Sequence, residues 1–116
     1  MRVDQYSEPL SRLLAITGCR SAAFITACNP LGMRDSMEAN RIACAHLREK
    51  LARHVARPDQ IVDGVAIDPF GSWPPEESFL VLGLDLDSAR ILGGEFNQNA
   101  LVWIEGDAIP RLMLLR

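Results

Sequence analysis

The stretch Ala22-Ala23-Phe24-Ile25-Thr26-Ala27-Cys28-Asn29-Pro30-Leu31-Gly32 decides the fold. Residues 22–28 form a mostly apolar run bounded by turn-forming residues, a pattern typical of a strand that is buried on both faces. Asn29 and Pro30 end this run, because proline has no N–H for a central strand ladder and restricts the residue before it. The sequence therefore predicts a central strand over 22–28, and we expect a functional site where this strand ends.

Helical periodicity marks the segments on both sides of this strand. Ser7 is a suitable N-cap for a helix over 8–17, and Gly18 is a natural residue to follow its end. A longer helix over 37–55 has residues at spacings of three and four that form one mostly apolar stripe. Apolar runs and turn signals predict the remaining elements. These are strands over 61–67, 79–84, 100–104 and 111–115, and a helix over 87–95.

The predicted order of elements is α-β-α-β-β-α-β-β. Nearly continuous apolar strands need cover on both faces of a sheet, and three helices can supply that cover. The two connections that contain a helix allow parallel crossovers, whereas the last two strands should form an antiparallel hairpin. We therefore predict an α/β fold, with α+β as the alternative. It is a single domain over 1–116, with a mixed sheet of about five strands and three packed helices.

Length and composition narrow the class of protein. A chain of 116 residues with 48% hydrophobic and 23% charged residues is typical of one globular domain and too apolar for disorder. A net charge of −3 disfavours a nucleic-acid partner, and no apolar run approaches the roughly 18 residues that a membrane span requires. Three cysteines without a CxxC pair favour free thiols in a reducing compartment, so we expect a cytoplasmic protein.

Amide side chains occur where the pattern predicts buried positions. Asn29 follows the central strand, and Asn40 lies on the apolar stripe of the helix over 37–55. A buried amide without partners costs about 1–3 kcal/mol, so each must bind either protein groups or a ligand. Gln98, at the entrance of another strand, either satisfies local backbone groups or joins these two. Two interpretations are open: the amides tie loop 29–35 to the helix, or they line one polar site that binds a ligand.

A second group of candidate residues precedes the strand over 79–84, namely Trp73, Glu76, Glu77 and Ser78. Trp73 in a proline-stiffened loop could act as a lid, and Glu76 or Glu77 could act as a general base. Adjacent carboxylates in a strand point to opposite sides, so at most one of them faces a pocket. Glu77 is the catalytic candidate. The alternative is that Trp73 plugs one end of the core and both glutamates are solvated.

Several motifs of established chemistry are missing from the sequence. There is no GxGxxG after a strand, no GxxxxGK phosphate loop and no HExxH. His46 and His54 lie on one predicted helix without a compelling third ligand, so we expect neither a metal nor a cofactor. Cys28, beside Asn29, is the one thiol to test for reactivity, although a small buried filler is the simpler interpretation.

Four segments together resemble a small bacterial family of domains of unknown function. They are FITACNP, EANRIACAHLREKL, WPPEESFLVLGL and EFNQNALVW, which are similar to the family's TA-x-NP strand end, Asn-containing helix, WPEES-like loop and FGQ-A-like strand entry. Asn97 stands where the family usually has glycine, which implies a different local backbone there. The resemblance covers residues 22–104 and implies a shared fold but no activity. It draws attention to Thr26, Asn29, Asn40, Trp73, Glu77, Ser78 and Gln98.

The leading functional hypothesis is a cytoplasmic binding or regulatory domain with an amide-lined pocket at the strand ends, for a small molecule or a peptide. One alternative is a small hydrolase or nucleotide-processing enzyme that uses Glu76 or Glu77 as its base. Another is a protein–protein interaction module, such as a homodimer. Nucleic acid ranks last among the partners, and no membrane association is expected. The residues predicted to bind the ligand are Thr26, Asn29, Asn40, Trp73, Ser78 and Gln98.

Overall fold

A computed structural model confirms the predicted order of elements, α-β-α-β-β-α-β-β. The structure describes residues 1–67, 70–71 and 74–116. Short 3-10 turns, Pro30–Gly32 and Pro58–Gln60, precede the second helix and the second strand. The helices are α1 (Glu8–Thr17), α2 (Met37–Ala52) and α3 (Leu86–Glu95), and the strands are β1 (Ala22–Ile25), β2 (Ile61–Ala66), β3 (Glu76–Leu82), β4 (Ala100–Ile104) and β5 (Pro110–Leu114).

Two strand boundaries differ from the prediction in a way that affects the site. β1 ends at Ile25 rather than at residue 28, so Thr26 to Cys28 belong to the loop that follows it. β3 begins at Glu76 rather than at residue 79, because residues 76–78 pair with residues 64–66 of β2. Residues 26–28, predicted as strand, therefore belong to a loop, and residues 76–78, predicted to precede a strand, belong to β3.

The sheet is antiparallel at each of the four strand pairs described, in the order β2-β3-β1-β4-β5. This corrects the expectation of a mixed sheet and makes the fold α+β, the alternative class. α2 connects β1 to β2, and α3 connects β3 to β4, but in each case another strand lies between the two connected strands. The helical connections therefore join strands that run in the same direction without making them neighbours. β4 and β5 form the predicted antiparallel hairpin.

Helices cover both faces of the sheet, as its apolar strands require. α2 and α3 pack on one face, here called the two-helix face, and α1 packs on the other, the one-helix face. Successive residues of β1 alternate between them, with Ala23 and Ile25 on the two-helix face and Ala22 on the one-helix face. All three are buried, because β1 is the central strand and has neighbours on both edges and helices above and below.

The antiparallel order brings three chain segments together beyond the end of β1. Ile25, its last residue, pairs with Phe79 of β3, and Phe24 pairs with Val102 of β4. These neighbours run opposite to β1, so the residues that enter β3 (76–78) and β4 (98–100) extend past its end on either side. The loop that leaves β1 therefore lies between two strand entrances. The candidate site occupies this end of the sheet.

Candidate functional site

The loop after β1 turns sharply because several of its residues take the left-handed backbone conformation. Asn29, Leu31 and Gly32 have φ angles of 49°, 60° and 70°. Glycine takes this conformation without strain, and asparagine tolerates it better than most residues do. A Cβ on Gly32 would stand 2.9 Å from Asn99 Nδ2, so glycine also lets the loop approach β4. The backbone N–H of Leu31 donates to the Asn97 carbonyl at 2.7 Å, which holds the loop against that strand entrance.

Asn29 and Asn40 form a reciprocal hydrogen-bonded pair between this loop and α2. The backbone N–H of Asn29 donates to Asn40 Oδ1 at 2.8 Å, and Asn40 Nδ2 donates to Asn29 Oδ1 at 3.0 Å. Asn29 Oδ1 also accepts from the backbone N–H of Asp35 at 2.9 Å. Asn40 reaches the loop from the first turn of α2, where Ser36 caps the helix by accepting from Ala39 N at 3.0 Å. The structure thus brings together the two amides that the sequence singled out.

Glu76 supplies the carboxylate of this network. Asn29 Nδ2 donates to Glu76 Oε2 at 2.5 Å, and the Glu76 side chain is partly buried. Glu77, the catalytic candidate from the sequence, is exposed, and its carbonyl rather than its carboxylate contacts the loop. Glu76 belongs to β3 because this strand begins earlier than predicted, and there it pairs with Ala66 of β2. The carboxylate to consider for function is therefore that of Glu76.

Gln98 joins the group through the backbone of the loop. Its side chain is 7% exposed, and Nε2 donates to the Cys28 carbonyl at 3.1 Å and to the Phe96 carbonyl at 3.3 Å. Asn97, the residue before it, has a φ of 54°, the left-handed conformation that glycine adopts without strain. Asparagine at this position therefore forms a turn that glycine could also form.

The other predicted residues have different places. Thr26 donates from Oγ1 to the Glu77 carbonyl at 2.6 Å and accepts from the Cys28 backbone N–H at 3.0 Å. Its side chain therefore links the loop to β3. Ser78 is fully buried, and its Oγ donates to the Glu76 carbonyl at 3.1 Å. By strand alternation Ser78 lies on the same face of the sheet as Leu80 and Leu82, the one-helix face. Trp73 lies outside the described residues.

Two thiols that the sequence did not suggest as a pair lie beside the amides. Cys28 Sγ and Cys44 Sγ are 3.5 Å apart, and they lie 3.6 Å and 3.7 Å from the Glu77 carbonyl oxygen. A hydrogen bond from Cys44 lowers the pKa of Cys28 to about 7 despite its burial. The same contact between the sulfurs, together with burial, raises the pKa of Cys44.

Sequence spacing contained a signal for this pair. Cys28 directly precedes Asn29, and Cys44 follows Asn40 by four residues, about one helical turn. If the two asparagines meet, Cys28 lies on the same loop as Asn29, and Cys44 lies on the same helix as Asn40, one turn further along. Buried amides need partners and therefore stand out together in the sequence, whereas cysteines pack as small hydrophobes and carry no such signal.

Two adjoining cavities lie at this end of the sheet and share a common wall formed by Cys28, Asn29, Pro74 and Glu76. The first, of about 490 Å³, extends toward β4 and is called the Gln98 cavity. The second, of about 550 Å³, extends along the start of α2 and is called the Asn40 cavity. Both volumes are in the range of small-molecule sites.

Neither a metal-binding cluster nor a membrane-spanning helix is found in the described part of the chain. Within residues 1–67, 70–71 and 74–116, no group of three or more His, Cys, Asp or Glu side chains is arranged to hold a metal ion. Over the same residues, no helix combines the length and the apolar character needed to cross a bilayer.

The fold and the site together define a class: a small α+β domain whose central strand ends between two adjoining cavities. A family model matches residues 25–101, which is more than half of the chain. The chain belongs to this family, which is described as "Protein of unknown function (DUF3293)". The match confirms the resemblance to domains of unknown function, and it spans the candidate residues from Thr26 to Gln98. No curated protein and no solved structure matches the chain.

Proposed function

We propose that the protein binds a small polar ligand in the Gln98 cavity at the end of β1. The observation that carries this proposal is the contact of 2.5 Å between Asn29 Nδ2 and Glu76 Oε2, in the wall common to both cavities. A carboxylate beside a ligand-sized space retains a strong preference for hydrogen-bond donors or positive charge. The hydrogen bond from Asn29 fixes the direction in which the Glu76 carboxylate offers its remaining lone pairs.

Asn29 is a positioning residue in this proposal. Its backbone N–H, its Oδ1 and its Nδ2 all have partners within the protein, supplied by Asn40, Asp35 and Glu76. An amide whose groups are already bonded offers little to a ligand, but it holds its neighbours in place. Because these bonds lie within the protein itself, fewer side chains have to be ordered on binding.

The available groups favour a ligand that donates hydrogen bonds. A carboxylate has about four lone-pair sites, and Asn29 uses one of those on Glu76. The Nε2 group of Gln98 donates to two backbone carbonyls, and among the described residues none donates to its amide oxygen. The described lining of the Gln98 cavity includes the Glu76 carboxylate and no cationic side chain. We therefore expect a neutral or positively charged ligand with N–H or O–H groups, such as an amine or an amide.

A fragment titration followed by two-dimensional NMR tests this proposal. Isotope-labelled protein is titrated with three size-matched sets of fragments: small amines, small primary amides and small carboxylates. We expect amines and amides to shift the side-chain NH₂ signals of Asn29, Asn40 and Gln98, because these groups line or border the cavities. Carboxylates should leave the Gln98 signal in place, because Glu76 repels them and the described lining of the Gln98 cavity has no cationic side chain.

Two neighbouring variants supply the matched comparison. Glu76→Gln keeps the acceptor for Asn29 but removes the charge, so it should weaken amine binding by about tenfold and amide binding less. Glu77→Gln removes the exposed charge next to it, on a residue that lines the Asn40 cavity but not the Gln98 cavity, and should leave both affinities unchanged. The proposal is wrong if no fragment shifts these signals, if carboxylates shift the Gln98 signal as much as amines do, or if Glu77→Gln weakens amine binding as much as Glu76→Gln.

A further inference from the structure

The loop after β1 and helix α2 contact each other twice, through two pairs of residues in parallel. Asn29 bonds to Asn40, and one residue earlier in the loop Cys28 meets Cys44, one turn further along α2. The sulfurs are 3.5 Å apart, and both cysteines are free thiols. The cavity chemistry described above makes no use of this sulfur pair.

The two thiols have unequal surroundings. Cys28 is 5% exposed and is one of the residues that line both cavities, so a small reagent that enters either cavity comes next to this residue. Cys44 is fully buried and lies behind it, among core side chains of α2. Cys44 Sγ lies 3.5 Å from Cys28 Sγ, and a hydrogen bond from Cys44 lowers the pKa of Cys28 to about 7, which favours the Cys28 thiolate. One thiol is thus placed to react with an incoming molecule, and the other is placed to react with the first.

We propose that Cys28 and Cys44 form a redox-active dithiol that a hydroperoxide converts into an intramolecular disulfide. The Cys28 thiolate attacks one peroxide oxygen, the O–O bond breaks, and the leaving hydroxide takes up a proton to become water, which leaves a sulfenic acid on Cys28. The Cys44 sulfur then attacks the Cys28 sulfur and displaces hydroxide, which takes up the Cys44 proton. For hydrogen peroxide, two thiols and one peroxide give one disulfide and two water molecules.

The geometry requires only a small movement. A disulfide has an S–S distance of about 2.05 Å, so sulfurs that start at 3.5 Å must approach by roughly 1.5 Å. Rotation about the two Cα–Cβ bonds can share this movement, because the Asn29–Asn40 pair already holds the two backbones side by side. The disulfide would lie in the wall that the two cavities share. This proposal does not depend on the identity of any ligand.

Cys19 provides an internal comparison. It is partly exposed and lies near Gly83, at the other end of β1, where its Sγ contacts the Thr17 carbonyl at 3.9 Å. No other cysteine is present in the sequence. Greater exposure alone would make Cys19 the first thiol to be oxidised, whereas the proposal assigns the first reaction to the less exposed Cys28.

Peptide mapping of the full chain after peroxide treatment tests the proposal, because trypsin separates the three thiols. Cleavage after arginine places Cys19 in peptide 13–20, Cys28 in 21–34 and Cys44 in 42–48. Reduced protein is treated with hydrogen peroxide, its remaining thiols are blocked with iodoacetamide, and it is then digested and analysed by mass spectrometry. We expect the intact chain to lose the mass of two hydrogens, and peptides 21–34 and 42–48 to appear as one linked species.

Three single variants decide between this route and simple oxidation. Cys19→Ser should form the linked species as the wild type does, and Cys28→Ser should abolish it. Cys44→Ser should stop at the sulfenic acid on Cys28, which dimedone traps on peptide 21–34. If a variant does not fold, the wild-type peptide map alone decides the question. A link involving Cys19, a link formed only in urea-unfolded chain, or no link at a peroxide concentration that oxidises Cys19 would overturn the proposal.

Discussion

Asn29 combines a backbone property with a side-chain property. Its φ of 49° requires a residue that tolerates the left-handed conformation, and its side chain must both accept and donate. Alanine would lose the side-chain bonds and add strain, and aspartate would keep the acceptor but lose the donor. The network therefore depends on the amide itself.

Replacing Asn29 by aspartate should destabilise the protein near neutral pH. Aspartate tolerates the backbone conformation, but it cannot donate to Glu76, and two carboxylates then meet at hydrogen-bonding distance. We expect the free energy of unfolding to fall by about 2 kcal/mol, measured by urea denaturation.

The same variant should regain stability in acid. Two adjacent carboxyl groups share a proton, which raises one pKa above its value in the unfolded chain. A group with a raised pKa in the folded state contributes stability below its unfolded pKa and loses it as the pH rises through the folded pKa. The deficit relative to wild type should therefore shrink as the pH falls. Adding Glu76→Gln to Asn29→Asp restores a donor opposite the aspartate and should remove both effects. Equal losses in the single and double variants would contradict the assigned role.

At the scale of single residues, the sequence predicted the amides of the site better than its other groups. Asn29, Asn40 and Gln98 stood out because an amide in an apolar pattern must find partners, and the structure brings them together. Glu76 was not distinguished from Glu77, because the choice depends on where β3 begins and therefore on its pairing with β2. A cysteine in an apolar pattern carries no such signal, because it packs as a small hydrophobe.

At the scale of elements, periodicity predicted which segments form helices and strands but not how the strands pair. The helix over 8–17 and the strand over 100–104 have the predicted bounds. The apolar runs in β1, β3 and β4 look alike whether the strand beside them is parallel or antiparallel. The insertion of β1 between β3 and β4 depends on tertiary packing rather than on local sequence pattern. It also determines which strand entrances contact the loop that contains Asn29.

Each helix begins at a capping side chain, and only that of α3 is ionisable. Ser7, Ser36 and Asp85 accept from backbone N–H groups at the starts of α1, α2 and α3. Hydrogen bonds from Ser88, from its side chain first and then its backbone, lower the pKa of Asp85. A carboxylate here also interacts favourably with the helix N-terminus.

Asp85→Asn should therefore reduce the stability of the protein only above acidic pH. Asparagine still caps the helix but carries no charge. Because folding lowers the pKa of Asp85, its charge contributes stability above the unfolded value of about 3.9 and loses it as the pH falls through the folded value. Asp85 is exposed, so the difference from wild type should not exceed about 0.5 kcal/mol. Urea denaturation across the acid range measures it, with Asp87→Asn as the neighbouring control. A difference that persists at the lowest pH would contradict this account.

At the scale of the whole molecule, the sheet separates two apolar clusters, and the site belongs to one of them. Cys28 and Cys44 extend the cluster on the two-helix face, and the Asn40 cavity runs along α2. On the other face, α1 packs through Leu10 and Leu14 against a smaller cluster. A defect under α1 should therefore reach the site only by way of the sheet.

Leu14→Ala should lower global stability while leaving the site intact. Leu14 is 6% exposed on the one-helix face, and removing such a side chain from a core typically costs about 2–4 kcal/mol. Ile16→Ala on the same helix is the control, because Ile16 is 81% exposed and its loss should change stability by no more than about 0.5 kcal/mol. Under native conditions the NH₂ signals of Asn29 and Asn40 should keep their positions in both variants. Displacement of these signals by Leu14→Ala would show that the two clusters are coupled through β1.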